Sequence, residues 1–191
     1  METKNIVLCG IGGQGTILAS KLIATAAMQK NIPVMSAETI GMAQRGGSVF
    51  SHLRMGGNLL SPMIAKGTAD IIIGFEPSET VRMLPYLKKG GRIITSSYAV
   101  MPVTSALTGG DYRASVMIDY LTGVSDNVTV VDTDALCKQL SSPKVMNVLL
   151  LGFAARSGAL GLSVDDIMNA LKTRLPEKLW ELNFKALNIS A

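Results

Sequence analysis

The stretch Cys9-Gly10-Ile11-Gly12-Gly13-Gln14-Gly15 restricts the fold of this chain more than any other. It follows an apolar run, Ile6-Val7-Leu8, and leads into a helix-like run from Thr16 to Lys30. The order is strand, glycine turn, helix. Gly10, Gly12 and Gly15 stand at G-x-G-x-x-G spacing. Glycine lets the backbone turn tightly and lets an anion reach bare amides, and the helix adds the positive end of its dipole. The stretch predicts an anion cradle at the mouth of a parallel α/β sheet. Gly13 is a glycine the nucleotide fingerprint does not need, and a tight turn without a ligand is the plain alternative.

The rest of the chain alternates in the same sense. Pro33 to Ala37 reads as a second strand with Glu38 at its end, about 20 residues on from the loop, where an acidic side chain meets a ribose in dinucleotide folds. A carboxylate paired to Arg45, or capping a nearby turn, is the alternative. Gly41-Met42-Ala43-Gln44-Arg45-Gly46-Gly47-Ser48 is a second glycine-rich stretch carrying one guanidinium and one amide. Arg45 can fork onto a phosphate or a carboxylate, and Gly46 and Gly47 admit unusual backbone; a turn with a structural arginine is the alternative. Ser48 to Arg54 alternates as a strand, and Leu59 to Met63 reads as its hairpin return, with Pro62 at an edge. His52, the only histidine, reads as a satisfied strand residue among polar neighbours rather than a metal ligand.

Ala69 to Phe75 is a β-branched run suited to a strand covered on both faces. Pro77 and Glu79 open a helix ending near Leu84, Gly90-Gly91 closes that segment, and Arg92 to Thr95 is the next strand. Tyr98 to Asp126 is irregular, with a short helix from Ala114 to Leu121. Val128 to Val131 is the last strand. Helices follow from Asp132 or Thr133 to Leu140, Ser142-Pro143 to Arg156, the Ser163–Asp166 opening, and Pro176 to Leu187. The expected fold is α/β: a single domain over residues 1–191, with a mostly parallel, Rossmann-like central sheet flanked by helices and a helical C-terminal quarter. Gly10–Gly15, Glu38 and Phe75-Glu76 would share one rim.

The composition excludes several function classes. The net charge is +4, but the basic residues are scattered and aromatics make up 5%, which argues against nucleic acid. No segment approaches the roughly 20 apolar residues of a membrane helix, and no secretory leader is visible at Met1-Glu2-Thr3-Lys4. Cys9 and Cys137 are the only cysteines, too few for an ordinary iron–sulfur cluster, and the expected compartment is the cytoplasm. With one histidine, no Ser-His-Asp or Cys-His set is visible, and no metal site is expected. Thr16 follows Gly15 where a P-loop would carry its lysine. A 48% apolar composition leaves room for a partner subunit to cover surface.

Gly10 to Gly15, taken with Glu38-Thr39-Ile40-Gly41-Met42-Ala43-Gln44-Arg45-Gly46-Gly47-Ser48-Val49, resembles the gamma-type domain of the 2-oxoacid:ferredoxin oxidoreductases, in the indolepyruvate (arylpyruvate) branch of that family. The resemblance extends through Ser61-Pro62, Ala69-Asp70, Gly74-Phe75-Glu76, Tyr86-Leu87-Lys88, Asn147 to Gly152 and Glu181-Leu182-Asn183, nearly the whole chain. It implies the small subunit of an enzyme that decarboxylates 2-oxoacids oxidatively to acyl-CoA and passes electrons to ferredoxin. Thiamine diphosphate and iron–sulfur clusters are then expected mainly on a larger partner subunit, while Gly12, Gly13, Gln14, Gly15 and Arg45 of this chain either bind a phosphate-bearing group of coenzyme A or shape the shared active site. The implied cofactor-binding positions are Gly10, Gly12, Gly13, Gln14, Gly15, Glu38, Arg45, Gly46 and Gly47, with Arg45 and Gln44 as catalytic candidates. Three other readings stay open: a stand-alone nicotinamide or flavin oxidoreductase, a purely structural subunit, and a homodimer when the chain is alone.

Overall fold

The computed structural model describes residues 2–39, 46–101 and 111–189. At its centre lies β1 (Lys4–Ile11), whose Ile6, Val7, Leu8 and Cys9 are fully buried. The other strands are β2 (Val34–Thr39), β3 (Ser48–Met55), β4 (Ala69–Gly74), β5 (Leu87–Ser96) and β6 (Val128–Val131), in the sheet order β2-β3-β1-β4-β5-β6. The β1–β4, β4–β5 and β5–β6 pairs are parallel, and β3 is antiparallel to both β1 and β2. Every strand but β3 therefore runs the same way, and the carboxyl ends share one edge. β3 meets that edge with its amino end, at Ser48 opposite Ile11.

The helices are α1 (Thr16–Gln29), α2 (Pro77–Met83), α3 (Ala114–Val124), α4 (Thr133–Gln139), α5 (Met146–Arg156), α6 (Val164–Arg174) and α7 (Trp180–Asn188). The strands divide their side chains between two cores, as alternation requires. Leu8, Leu53, Ile71 and Ile73 face α1 and α5 in the larger core, while Val7, Ile72 and Met83 form the smaller one beneath α2. Each fully buried Leu or Ile contributes about 1.5–3 kcal/mol. α5 is buried on nearly every side, from Val148 to Leu151. It crosses α7 so closely that a Cβ on Gly152 would lie 2.3 Å from the Leu187 carbonyl oxygen. Ser163 and Asp166 form the reciprocal cap that their spacing predicts for α6. Among the described residues, no helix is long and apolar enough to cross a membrane.

Three local expectations are corrected. Leu59 to Met63 forms no strand: Pro62 cannot donate to a ladder, and Leu60 is 95% exposed. Side chains of β3 anchor this segment instead, Arg54 Nη1 donating to Ser61 O at 2.8 Å and His52 Nδ1 accepting from the Ile64 N–H at 3.1 Å. Gly90-Gly91 does not close the α2 segment. It lies inside β5, where the pairing with β4 shifts register between Ala69 and Ile71 and Gly90 takes a φ of 74°. Two of the C-terminal helical segments begin as 3-10 turns, Pro143–Val145 before α5 and Glu177–Leu179 before α7.

Candidate functional site

The glycine loop joins β1 to α1 at the carboxyl edge. Its shape is set from within by Gln14. The Gln14 Oε1 accepts the Ile11 N–H at 2.7 Å, and Nε2 donates to Phe75 O at 3.1 Å, linking the loop to the end of β4. Both ends of that amide are thus engaged inside the chain. Gly10 has no room for a side chain, since a Cβ would lie 2.7 Å from Gln14 Oε1 and 2.8 Å from Phe75 Cβ. Gly15 caps α1 at a φ of 85°, and its carbonyl accepts from Asn147 Nδ2 at 3.5 Å. The Gly12 N–H is taken by Gly47 O at 2.9 Å. The Gly13 and Gly15 amides find no acceptor among the described residues, and the position of a Gly13 Cβ is open space. The cradle read from the sequence is therefore narrower than the motif: Gly10, Gly12 and Gln14 build it, and Gly13 and Gly15 present it.

A cavity of about 400 Å³ opens on that loop. Gly13, Gly15 and Leu18 line one side, Thr133 and Asp134 a second, Lys144 and Asn147 a third, and Tyr98 borders the mouth. The topology brings them together. β5 and β6 end side by side, and a Ser96–Thr133 hydroxyl contact of 2.6 Å fixes the start of α4 beside the exit of β5. Ser142 caps the Pro143 turn that leads into α5. Three helical starts thus converge on the cavity: α1, α4, and the turn entering α5. Each adds partial positive charge, and Lys144 adds a full one. Asp134 is paired with Lys138 at 2.6 Å. Burial pushes the Cys137 thiol at the cavity wall above its ordinary range. The arrangement suits a phosphate-bearing ligand with an apolar portion. The capping signals at Asp132-Thr133 and Ser142-Pro143 were legible in the sequence, but their meeting point was not.

Gly46 and Gly47 lie against the loop, with the Gly46 N–H donating to Gly12 O at 3.4 Å. Gln44 and Arg45 fall outside the described residues. Glu38 is half-buried on β2 and pairs with Ser51, which pairs with Leu8 of β1. The intervening β3 sets Glu38 two strand spacings, roughly 10 Å, from β1, whereas the ribose carboxylate of a dinucleotide fold stands on the strand beside it. Glu38 still lies at the carboxyl end of β2 on the shared edge, and Phe75 and Glu76 reach that edge beside the loop: the Phe75 N–H donates to Cys9 O at 2.8 Å, and Glu76 is fully buried.

His52 is buried between the Phe50 and Tyr86 rings rather than among polar neighbours, and among the described residues only its Nδ1 has a hydrogen-bond partner. Burial lowers its pKa and keeps it neutral. Cys9, buried near Glu79, holds its proton far above the usual thiol range. Among the described residues no three His, Cys, Asp or Glu side chains come together as a metal site. Two cysteines are too few to ligate an ordinary iron–sulfur cluster.

Comparison with known proteins places the chain among relatives of one family. The profile described as pyruvate ferredoxin/flavodoxin oxidoreductase matches residues 5–190. The chain is similar to the indolepyruvate oxidoreductase subunit IorB of Pyrococcus horikoshii, at 31% identity over 99% of this chain and 95% of that one. It is similar to the subunit of the same name from Archaeoglobus fulgidus, at 33% identity over 97% and 92%. Among solved structures, its fold matches part of the 2-oxoglutarate:ferredoxin oxidoreductase of Magnetococcus marinus. The TM-score is 0.71 at 18% identity, covering 98% of this chain and 30% of that one.

Proposed function

The chain belongs to the pyruvate ferredoxin/flavodoxin oxidoreductase family, and from that we propose that it is the small subunit of a 2-oxoacid:ferredoxin oxidoreductase acting on indolepyruvate or a related arylpyruvate. In this reading residues 1–191 act as one gamma-type domain in the cytoplasm. A larger subunit carries thiamine diphosphate and the iron–sulfur clusters and delivers electrons to ferredoxin. The substrate assignment is supported by full-length similarity to proteins named as indolepyruvate oxidoreductase subunits. The partner is supported by a cysteine count of two, too small for an ordinary cluster, and by the exposed stripe Val116, Tyr120 and Val124 on α3.

The convergence of three helical starts at Gly13 and Gly15 carries the ligand assignment. The cavity holds a phosphate-bearing part of coenzyme A, whose thiol accepts the acyl group when bound. Gly13 and Gly15 donate their amides to phosphate oxygen, Lys144 balances its charge, and Gln14 holds the loop open. Arg45 is retained from the sequence as a second phosphate contact. The separation of Glu38 from β1 weighs against the stand-alone dinucleotide enzyme.

The test is to express the chain with and without its thiamine-dependent large subunit and to follow viologen reduction with indolepyruvate and coenzyme A. Activity is expected only in the complex. Turnover or tight dinucleotide binding by the chain alone would overturn the subunit reading.

A further inference from the structure

We propose that Glu79 is a positioning residue for the glycine loop. Acting through Ser48, its buried carboxylate fixes the Gly46–Gly47 turn against Gly12 and so sets where the Gly13 and Gly15 amides stand. A closed circuit of contacts makes the connection. Ser48 Oγ donates to Glu79 Oε2 at 2.5 Å. One residue before Ser48, Gly47 O receives the Gly12 N–H at 2.9 Å. Ile11, on the other side of Gly12, donates to Gln14 Oε1, and Gln14 Nε2 donates to Phe75 O. Phe75 adjoins Glu76, whose Oε2 accepts the Glu79 N–H at 3.1 Å. The circuit thus passes from α2 through β3 into the loop and back through the end of β4.

A helix-dipole role does not account for Glu79. An acidic residue in the first turn serves the dipole while exposed, as Asp165 does on α6. The cap of α2 is already complete, since Glu76 accepts both the Ser78 and Glu79 amides. Yet Glu79 is only 6% exposed. The cation beside it among the described residues, Arg82, stands 3.5 Å away and is 64% exposed. A carboxylate turned inward needs donors to offset its desolvation, and the short one here is Ser48. A hydroxyl and a carboxylate so held set a position more narrowly than a long flexible cation does.

This inference rests on the reading of Gly13 and Gly15 as the phosphate contact, and the experiment separates the two. In the assembled complex, E79A and S48A are expected to raise the KM for coenzyme A roughly fivefold to tenfold with kcat within about twofold. E79Q keeps an acceptor for Ser48 and is expected to restore both values. In parallel, amide hydrogen exchange over residues 11–13 of the free chain should quicken in E79A and S48A but not in E79Q. Should E79A fail to fold, S48A, which removes one oxygen atom, carries the test. Unchanged loop exchange in S48A, or E79Q behaving like an alanine variant, would overturn the proposal. Faster exchange with an unchanged coenzyme A KM would support the positioning role and refute the coenzyme A site.

Discussion

The two edges of the sheet handle buried carboxylates differently. At the amino edge, Asp70 accepts the Asn5 N–H at 2.8 Å and is met by two lysines, Lys88 in contact and Lys4 at 3.9 Å, which are 42% and 29% exposed. At the carboxyl edge, Glu76 accepts from the Ser78 and Glu79 amides, the Ser78 hydroxyl and the Tyr112 hydroxyl, and Glu79 accepts from Ser48. Flexible cations neutralise a charge and leave its surroundings loosely defined. Backbone amides and short hydroxyls hold the atoms around it in one arrangement. The first edge fastens strands together, and the second edge sets the shape of a site.

That contrast is most exposed to test at Glu76. Replacing it with alanine removes the α2 cap and leaves the half-buried Tyr112 hydroxyl without this acceptor, so urea unfolding should show a loss of about 2–4 kcal/mol. A loss within the range of an exposed residue would equate the two edges. Gly15→Ala comes next. It forces a side chain into a φ of 85° with its Cβ 2.7 Å from Asn147 Nδ2. The expected cost is about 1–3 kcal/mol by the same measurement, with a coenzyme A KM raised in the complex. Asp70→Ala should cost about 1–2 kcal/mol and leave the coenzyme A KM and kcat unchanged. A shifted KM there would mean that the amino edge also shapes the site.

The smallest effect is expected from pH. Burial lowers the folded pKa of His52 below its ordinary 6.5. The unfolded chain therefore binds the proton more readily. The contribution of neutral His52 to stability is complete above pH 6.5 and declines as the pH falls through that value toward the folded pKa. Unfolding midpoints of wild type and His52→Gln between pH 5 and 8 should diverge on the acid side in pH dependence, with the wild type losing stability more steeply. Parallel curves would remove His52 from the account.

The sheet was legible in the sequence wherever a strand fills both of its faces or alternates cleanly. Ile71-Ile72-Ile73 and Ser48 to Arg54 are read correctly for that reason. The position of β3 between β1 and β2 was not legible, because alternation carries no partner information, and that insertion is what separates Glu38 from the loop. The Gly90-Gly91 bulge resembles a helix stop because glycine serves both purposes. At the site, Gly10 to Gly15 was visible as a motif. The roles within it depend on tertiary contacts: Gln14 binds the chain itself, and the cavity wall comes from Tyr98, Thr133, Lys144 and Asn147, far from the loop in sequence. Glu79 was visible only as a helix-opening acid, since nothing local shows that it reaches Ser48, 31 residues away.

The central claim is that the helical starts around Gly13 and Gly15 hold the phosphate end of coenzyme A. Steady-state kinetics of the assembled complex carrying Lys144→Ala, with coenzyme A and the 2-oxoacid varied in turn, tests it most directly. The account predicts a KM for coenzyme A raised roughly fivefold or more, a 2-oxoacid KM unchanged, and a kcat near that of wild type. An unchanged coenzyme A KM, or a change confined to the 2-oxoacid, would contradict it.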